Sequence, residues 1–266
     1  MTTATRRGAR RMAEIPPDVL RELSTGQLPT VNLVEFLAVD LELLLRSVAA
    51  HIGVDPQHAV LEQVLRALPN LKPMRRHWAI AAALQEAIAQ DQAAADKLSG
   101  HPSDIARQWA ALMVGLRAED SLVSRLQRIR PFAADPHFGV REFAWMAVRD
   151  AVAADVPQAL ALLQPWVAES DPNLRRFASE VTRPRGVWCA HLELLKLDPQ
   201  VGYPLLHPLR ADPSRYVQNS VANWINDAAK SQPAWAQQVC GAWGAESTSR
   251  ATAYICKRAL RSLTTA

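Results

Sequence analysis

Apolar residues recur every three to four positions along much of the chain, a spacing that predicts amphipathic α-helices. Two clear examples are the stripes Val34, Leu37, Leu41, Leu44, Val48 and Ile105, Trp109, Leu112, Leu116. The second stripe follows Ser103, a typical N-cap residue. Most of the 18 prolines lie between such stripes, and strand-like alternation is almost absent. The sequence therefore predicts an all-α fold.

Three Asp-Pro dipeptides begin similar helical stretches, roughly 40 residues apart, the period of HEAT-like helix-pair repeats. They are Asp135-Pro136, Asp171-Pro172 and Asp212-Pro213. Each aspartate is predicted to cap a helix whose first turn holds the proline. Helix pairs of this kind bury their apolar faces by stacking, so we expect a curved solenoid with a concave surface.

The composition fits a globular chain, with 266 residues of which 49% are hydrophobic and 21% charged. Residues 1–12 contain four arginines and no acid. We therefore expect residues 1–14 to form a flexible basic arm and residues 15–266 a single repeat domain. The formal net charge is +4, and positive charge is concentrated in the C-terminal half, which suits a phosphate-bearing partner.

Several function classes are disfavoured. No apolar stretch approaches the roughly 20 residues of a membrane-spanning helix, and no secretory signal is evident, so we expect a cytoplasmic protein. The three cysteines form no CxxC pair, which argues against a disulfide framework or a thiolate zinc site. HExxH, GxSxG and glycine-rich phosphate motifs are absent from the sequence. We therefore expect no metal and no cofactor.

Each repeat helix combines an apolar stripe with a polar line. The apolar stripes are Val140, Phe143, Ala147, then Leu174, Phe177, Ala178, Val181, then Val217, Val221, Trp224, Ala228. The polar lines are Glu142, Trp145, Arg149, then Arg176, Glu180, Arg183, then Asn219, Asn223, Asp227, Lys230. Two alternatives stay open: a merely solvated face with an Arg–Glu pair, and a Trp145 that fills the groove between repeats. Trp224 is interpreted as a core anchor.

Four stretches carry a resemblance to a known family. They read HFGVREFAW at 137–145, RRFASEVTRPR at 175–185 running on to Trp188, SVANWIND at 220–227, and KRALR at 257–261. In these motifs the chain resembles the AlkC/AlkD superfamily of DNA alkylation repair glycosylases, and the AlkC branch in particular. The chain stops soon after Arg261, so we expect it to lack the C-terminal immunoglobulin-like domain of many AlkC proteins. Asn223 stands where AlkD proteins have a tryptophan.

The resemblance implies a concave face that cradles duplex DNA, and hydrolysis of the N-glycosidic bond of N-alkylated bases such as 3-methyladenine. It implies catalytic roles for Glu142, Arg176, Glu180, Trp188 and Asp227. We expect DNA contacts from Trp145, Arg149, Arg175, Arg183, Arg185, Asn219, Asn223, Lys230, Lys257, Arg258 and Arg261. The expected partner is double-stranded DNA carrying alkylated bases, bound by a nucleoid-associated monomer.

The implied chemistry needs no general acid, because a base alkylated at a ring nitrogen is already cationic and leaves readily. Carboxylates suffice to stabilise a sugar with oxocarbenium character. Glu142 and Asp227 would do this and orient the attacking water, while Trp188 would stack against the lesion. Two other functions stay open: a non-catalytic protein that binds DNA structures, and a protein-binding HEAT scaffold.

Overall fold

The structure is a computed structural model that describes residues 6–186 and 189–263. These residues form sixteen α-helices and five short 3-10 helices. None of the described residues lies in a β-strand. The all-α prediction is confirmed. No helix in the described ranges has both the length and the apolar character that a membrane span requires. Trp188, predicted to be catalytic, lies outside the described residues.

The chain divides into two compact units. The first contains the described residues through Arg117 together with His137–Phe143. Its helices are α1 (Pro17–Ser24), α2 (Leu33–Ala38), α3 (Leu41–Ile52), α4 (Ala59–Ala67), α5 (Pro73–Ile88), α6 (Gln92–Ser99) and α7 (Asp104–Leu116). Short 3-10 helices lie at Met12–Glu14 and Leu68–Asn70.

The second unit contains Ala118–Pro136 and the described residues from Ala144 onwards. Helix α9 (Phe138–Ala154) begins in the first unit and continues in the second. The other helices of the second unit are α8 (Leu122–Ala133), α10 (Val156–Leu163), α11 (Pro172–Val181), α12 (Glu193–Leu197), α13 (Tyr203–Leu206), α14 (Arg215–Ala229), α15 (Pro233–Glu246) and α16 (Arg250–Ala259). Its 3-10 helices are Gln164–Ala168, Pro199–Gly202 and His207–Leu209.

The Asp-Pro prediction holds for one helix of three. Asp171 accepts a hydrogen bond from the Asn173 amide, and Pro172 is the first residue of α11. Helix α14 instead begins at Arg215, and the Asp212 carboxylate receives the Ser214 amide and the Arg175 guanidinium ahead of the helix. Helix α9 begins at Phe138, beyond Pro136. The cap prediction is therefore wrong for the first and third dipeptides.

The predicted apolar stripes form the core. All the stripe residues of α9, α11 and α14 are buried. Trp224 is fully buried, as predicted, and its indole Nε1 donates a hydrogen bond to Thr182 Oγ1 at 3.3 Å. Gly202 packs so closely on this indole that a Cβ atom there would lie 2.5 Å from Trp224 Cζ2. Trp224 therefore anchors α14 against both α11 and the Pro199–Gly202 turn.

The N-terminal segment packs against the first unit from Arg6 onwards. The Arg6 guanidinium pairs with the buried Glu35 carboxylate of α2, with contacts of 2.5 and 2.8 Å. The Val31 amide also donates to Glu35, and the Asn32 side chain donates to the Ala9 carbonyl. Arg6 and Ala9 are thus held against the first unit, since the buried Glu35 carboxylate needs a compensating charge. The flexible arm at residues 1–14 stays a prediction.

A second buried carboxylate organises the first unit. Asp104 has no exposed surface and accepts hydrogen bonds from the amide and hydroxyl of Thr30, both at 2.8 Å, and from Gln108 Nε2 at 3.0 Å. His137 Nε2 lies 2.6 Å from the Thr30 carbonyl, and the Gly139 amide donates to Nδ1. These contacts join α7 and the start of α9 to the loop before α2.

Candidate nucleic-acid interface

A cluster of ion pairs joins α11 to α14 in the second unit. Glu180, in the last turn of α11, contacts Arg176 one turn earlier at 3.2 Å and Arg183 just beyond the helix at 2.7 Å. Arg183 also reaches Asp227 on α14, with its Nε and Nη2 atoms 2.8 and 2.7 Å from Oδ2. Arg183 therefore bridges two carboxylates from different repeats, and the structure brings together Arg176, Glu180, Arg183 and Asp227.

Glu180 is the most strongly held member of this group. It is 4% exposed, and Ser220 of α14 donates to its Oε2 at 2.6 Å, while Ser179 donates to Ser220. Burial by itself would raise the pKa of Glu180. The charges of Arg176 and Arg183, aided by the Ser220 hydrogen bond, outweigh burial and hold that pKa below its usual value. Glu180 is therefore a fixed negative charge.

Arg183 is enclosed in the same way. Burial would lower its pKa, but the charges of Glu180 and Asp227 more than compensate and raise it. Its side chain is 14% exposed, and its guanidinium is committed to the two carboxylates. Arg183 thus links Glu180 to Asp227, and its role as a phosphate contact stays a prediction.

Two further cations border Asp227. Lys230, with a half-exposed side chain, approaches Asp227 Oδ1 at 3.3 Å. Arg185 donates to the Asp227 carbonyl at 3.2 Å and to Ser231 Oγ at 3.4 Å. We call these residues together the Arg183 cluster: Arg176, Glu180, Arg183, Arg185, Asp227 and Lys230. Its four cations exceed its two carboxylates, which gives it the positive excess that attracts phosphate.

The predicted asparagines of α14 hold side chains of the C-terminal helix. Tyr254 of α16 donates to Asn219 Oδ1 at 2.7 Å, and Arg261 donates to Asn223 Oδ1 at 3.1 Å. Lys257 and Arg258 are exposed in the last turn of α16. Asn223 therefore orients Arg261, and Asn219 holds Tyr254.

Sequence reasoning missed two stacked pairs next to these residues. Arg176 lies over the Tyr216 ring at 4.1 Å, and Arg215 lies over the Tyr254 ring at 3.5 Å. Such cation–π contacts orient the flat face of a guanidinium. The partners are about 40 residues apart, so helical spacing carried no signal of the pairing.

Three predicted DNA contacts are corrected by their burial or their partners. Trp145 is 6% exposed, in line with the groove-filling alternative, and Arg149 is 1% exposed. Arg175 pairs with the nearly buried carboxylate of Asp212 through two contacts, at 2.6 and 3.1 Å. All three side chains serve internal packing. Helical spacing did not indicate this, because it cannot show which polar side of a helix faces a neighbouring helix.

The catalytic roles of two residues, Glu142 and Trp188, stay predictions. Glu142 is half-buried on the part of α9 that belongs to the first unit. Trp188 falls outside the described residues. Their roles rest on the motif resemblance.

Comparison with known proteins places this geometry in a family context. No family model matches the chain. The uncharacterized protein YhaZ of Bacillus subtilis is 34% identical over 137 residues, which cover 52% of this chain and 37% of YhaZ. Among solved structures, the Pseudomonas fluorescens alkylpurine DNA glycosylase AlkC, bound to DNA containing an abasic site analog, is similar with a TM-score of 0.70 and 26% identity. That match covers 82% of this chain and 61% of AlkC.

AlkD2 from Streptococcus mutans is similar in fold, with a TM-score of 0.59, 20% identity and coverage of 76% of this chain and 98% of AlkD2. The matches therefore span about a third of YhaZ and less than two thirds of AlkC. The likenesses confirm the HEAT-like repeat fold that the Asp-Pro spacing indicated. Through this fold the chain is similar to AlkC, and it shares the fold of AlkD2.

Proposed function

We propose that the chain is a DNA glycosylase that hydrolyses the N-glycosidic bond of cationic N-alkylated bases, such as 3-methyladenine, in double-stranded DNA. The observation that carries the proposal is the Arg183 bridge. Arg183 holds the carboxylates of Glu180 and Asp227, two motif residues from successive repeats, close together. Arg176 and Lys230 add further positive charge beside them. The name of the AlkC structure, an alkylpurine DNA glycosylase, supports the same reaction class.

Asp227 is the carboxylate we assign to the reacting sugar. Arg183 occupies its Oδ2 atom, whereas Oδ1 faces Lys230, whose long side chain is half-exposed and 3.3 Å away. Asp227 is 3% exposed, so Lys230 would have to swing aside to uncover Oδ1, and its half-exposed side chain leaves room for that movement. Oδ1 would then stabilise the positive charge that develops on the sugar and orient the attacking water.

Glu180 acts on the reaction indirectly in this proposal. Its carboxylate is saturated by Arg176, Arg183 and Ser220. It therefore keeps Arg183 aligned with Asp227 and fixes Arg176, whose guanidinium is held flat against Tyr216 and would contact a phosphate. Glu142 is proposed as a second carboxylate on the strength of the motif alone.

The ion pairing itself favours a second candidate function. Both carboxylates of the Arg183 cluster are already neutralised by arginine, an arrangement that a non-catalytic DNA-binding relative would also tolerate. Such a protein would bind through its excess cations and release no base. Binding would weaken steeply with salt in either case, so base release is the property that separates the two candidates.

The test is base release by the purified chain from methylated duplex DNA. We expect release of 3-methyladenine by the wild type, and a loss on the order of 100- to 1000-fold for Asp227→Asn, the range seen when one electrostatic group is removed from an active site. Glu142→Gln tests the second carboxylate in the same assay. Glu246→Gln, at an exposed residue that ends α15, is the matched control and should keep full activity.

Equal activity of the wild type and both variants would reject the assigned chemistry. Salt-sensitive binding without any base release by the wild type would establish the non-catalytic candidate instead.

A further inference from the structure

Arg149 is a buried cation whose partners are backbone carbonyl oxygens. Its guanidinium donates to the carbonyls of Val181 at 2.5 Å, Arg183 at 2.6 Å and Ala190 at 3.2 and 3.3 Å. At 1% exposure it is among the largest fully buried side chains of the described residues. One side chain of α9 therefore holds the backbone at Val181, at Arg183 and at Ala190.

A guanidinium in this position is costly unless its surroundings compensate its charge. Burial lowers the pKa of Arg149, while the negative charges of Glu180 and Asp227 act in the opposite direction. The Val181 carbonyl belongs to the last turn of α11, where the helix dipole is negative. Arg149 thus depends on the C-terminal end of α11 and on the carboxylates of the Arg183 cluster.

The segment that Arg149 holds carries the bridge of the proposed site. Arg183 reaches Glu180 and Asp227 from it, and Arg185 reaches the Asp227 carbonyl. The segment has further internal restraints. The Leu192 amide donates to the Pro184 carbonyl, and a Cβ atom at Gly186 would collide with Cys189 Sγ. The backbone at Pro184 and Gly186 is therefore closely packed. The Arg149 guanidinium binds the carbonyls of Arg183 and Ala190 on either side of it.

We propose that Arg149 is a positioning residue for the glycosylase reaction: by binding the carbonyls of residues 181, 183 and 190, it sets the backbone from which Arg183 aligns Asp227. The inference rests on the proposed function. Its three-point contact requires the planar fork of arginine, because a lysine ammonium is a compact donor that cannot span carbonyls on both sides of the segment.

The experiment compares the full-length wild type with Arg149→Lys and Arg149→Met by hydrogen–deuterium exchange and by steady-state base release. We expect Arg149→Lys to remain folded and to exchange the amides of Arg183 and Leu192, which donate to the Glu180 and Pro184 carbonyls, roughly tenfold faster. We also expect its kcat to fall on the order of tenfold to a hundredfold, with KM within about threefold of the wild type, because misalignment affects the chemical step. Arg149→Met should lose more on both measures.

Arg107→Lys is the matched control. Arg107 also donates to two carbonyls, those of His101 and Pro102, but in the first unit. Arg107→Lys should change neither the exchange of the Arg183 and Leu192 amides nor kcat. If Arg149→Met fails to fold, Arg149→Lys decides.

The outcomes separate the two proposals. Unchanged exchange in Arg149→Lys would overturn the anchoring, and faster exchange with unchanged kcat would overturn the positioning role. A wild type that releases no base would overturn the proposed function, and with it the role in catalysis. The exchange measurement would then decide the anchoring by itself.

Discussion

The two units each bury a carboxylate network, but the networks are built from different donors. Asp104 in the first unit receives the amide and hydroxyl of Thr30 and the amide of Gln108, which are neutral groups. Glu180 in the second unit receives Arg176, Arg183 and Ser220. Neutral donors satisfy the hydrogen-bonding capacity of a carboxylate and add no positive charge. In the Arg183 cluster the cations outnumber the carboxylates, and this positive excess suits a site that binds an anion.

The difference teaches where to look for function in a helical repeat chain. A buried carboxylate with neutral partners contributes to the fold, because losing it orphans donors and nothing else. A buried carboxylate among cations at a partly exposed edge also shapes an electrostatic surface. Three predictions test this distinction, beginning with the largest expected effect.

Asp104→Ala should cost about 4 kcal/mol of unfolding free energy, because three buried donors lose their acceptor and each costs about 1–3 kcal/mol. Urea denaturation measures this loss. DNA affinity of the folded fraction, and its dependence on salt, should stay at the wild-type level. A large change in the salt dependence would show that Asp104 also serves the binding surface, which would break the comparison.

Glu180→Gln should cost roughly 3 kcal/mol at pH 7, because it leaves two largely enclosed guanidiniums short of a counter-charge. The pKa of Glu180 is lowered in the folded protein. Its stabilising contribution is therefore complete above the unfolded-state pKa of about 4.5 and is lost as the pH falls through the folded-state pKa. The stability gap between the wild type and Glu180→Gln should thus be constant near neutrality and narrow in acid.

Urea titrations at a series of pH values from 7 to 3 measure this gap. Glu193→Gln is the control, since its carboxylate is exposed and paired with Lys196 within one turn. A gap that stays constant down to pH 3 would contradict the assignment of Glu180 as a charged member of the cluster.

Lys257→Ala combined with Arg258→Ala should reduce the slope of log affinity against log salt concentration by about 2, one for each lost phosphate contact. Both side chains are exposed at the end of α16. Stability should change by less than about 0.5 kcal/mol. The pair Arg66→Ala and Lys97→Ala, exposed in the first unit, provides the comparison and should leave the slope unchanged. Equal slopes in all three proteins would remove α16 from the proposed interface.

Much of the fold could be predicted because helical periodicity is a local signal. The stripes of α9, α11 and α14 and the capped start of α11 at Asp171 follow from spacing and capping chemistry alone. Asp212 shows the limit. Its proline neighbour suggested a cap, but the side chain is bound by Arg175, which lies 37 positions earlier. A competing partner at that separation leaves no trace in the local pattern.

The sequence predicted which residues form the candidate site but not which side chains contact one another. Arg176, Glu180 and Asp227 were placed on polar lines, and their helices do bring them together. The contacts of Arg183 and Arg149 were not predicted because an arginine's long side chain can point outward to phosphate or inward to a carboxylate or carbonyl. The neighbouring chain segment decides which direction the side chain takes. Arg149 points inward because the carbonyls of residues 181, 183 and 190 are there to accept its hydrogen bonds.

The anchoring of Arg6 has a practical consequence for anyone producing this protein. From the sequence alone, the basic N-terminal residues look dispensable, so they could be chosen for truncation or for replacement by an affinity tag. Removing Arg6 would strand Glu35 in the interior without its counter-ion. Expression vectors should therefore retain the chain from Arg6 onwards.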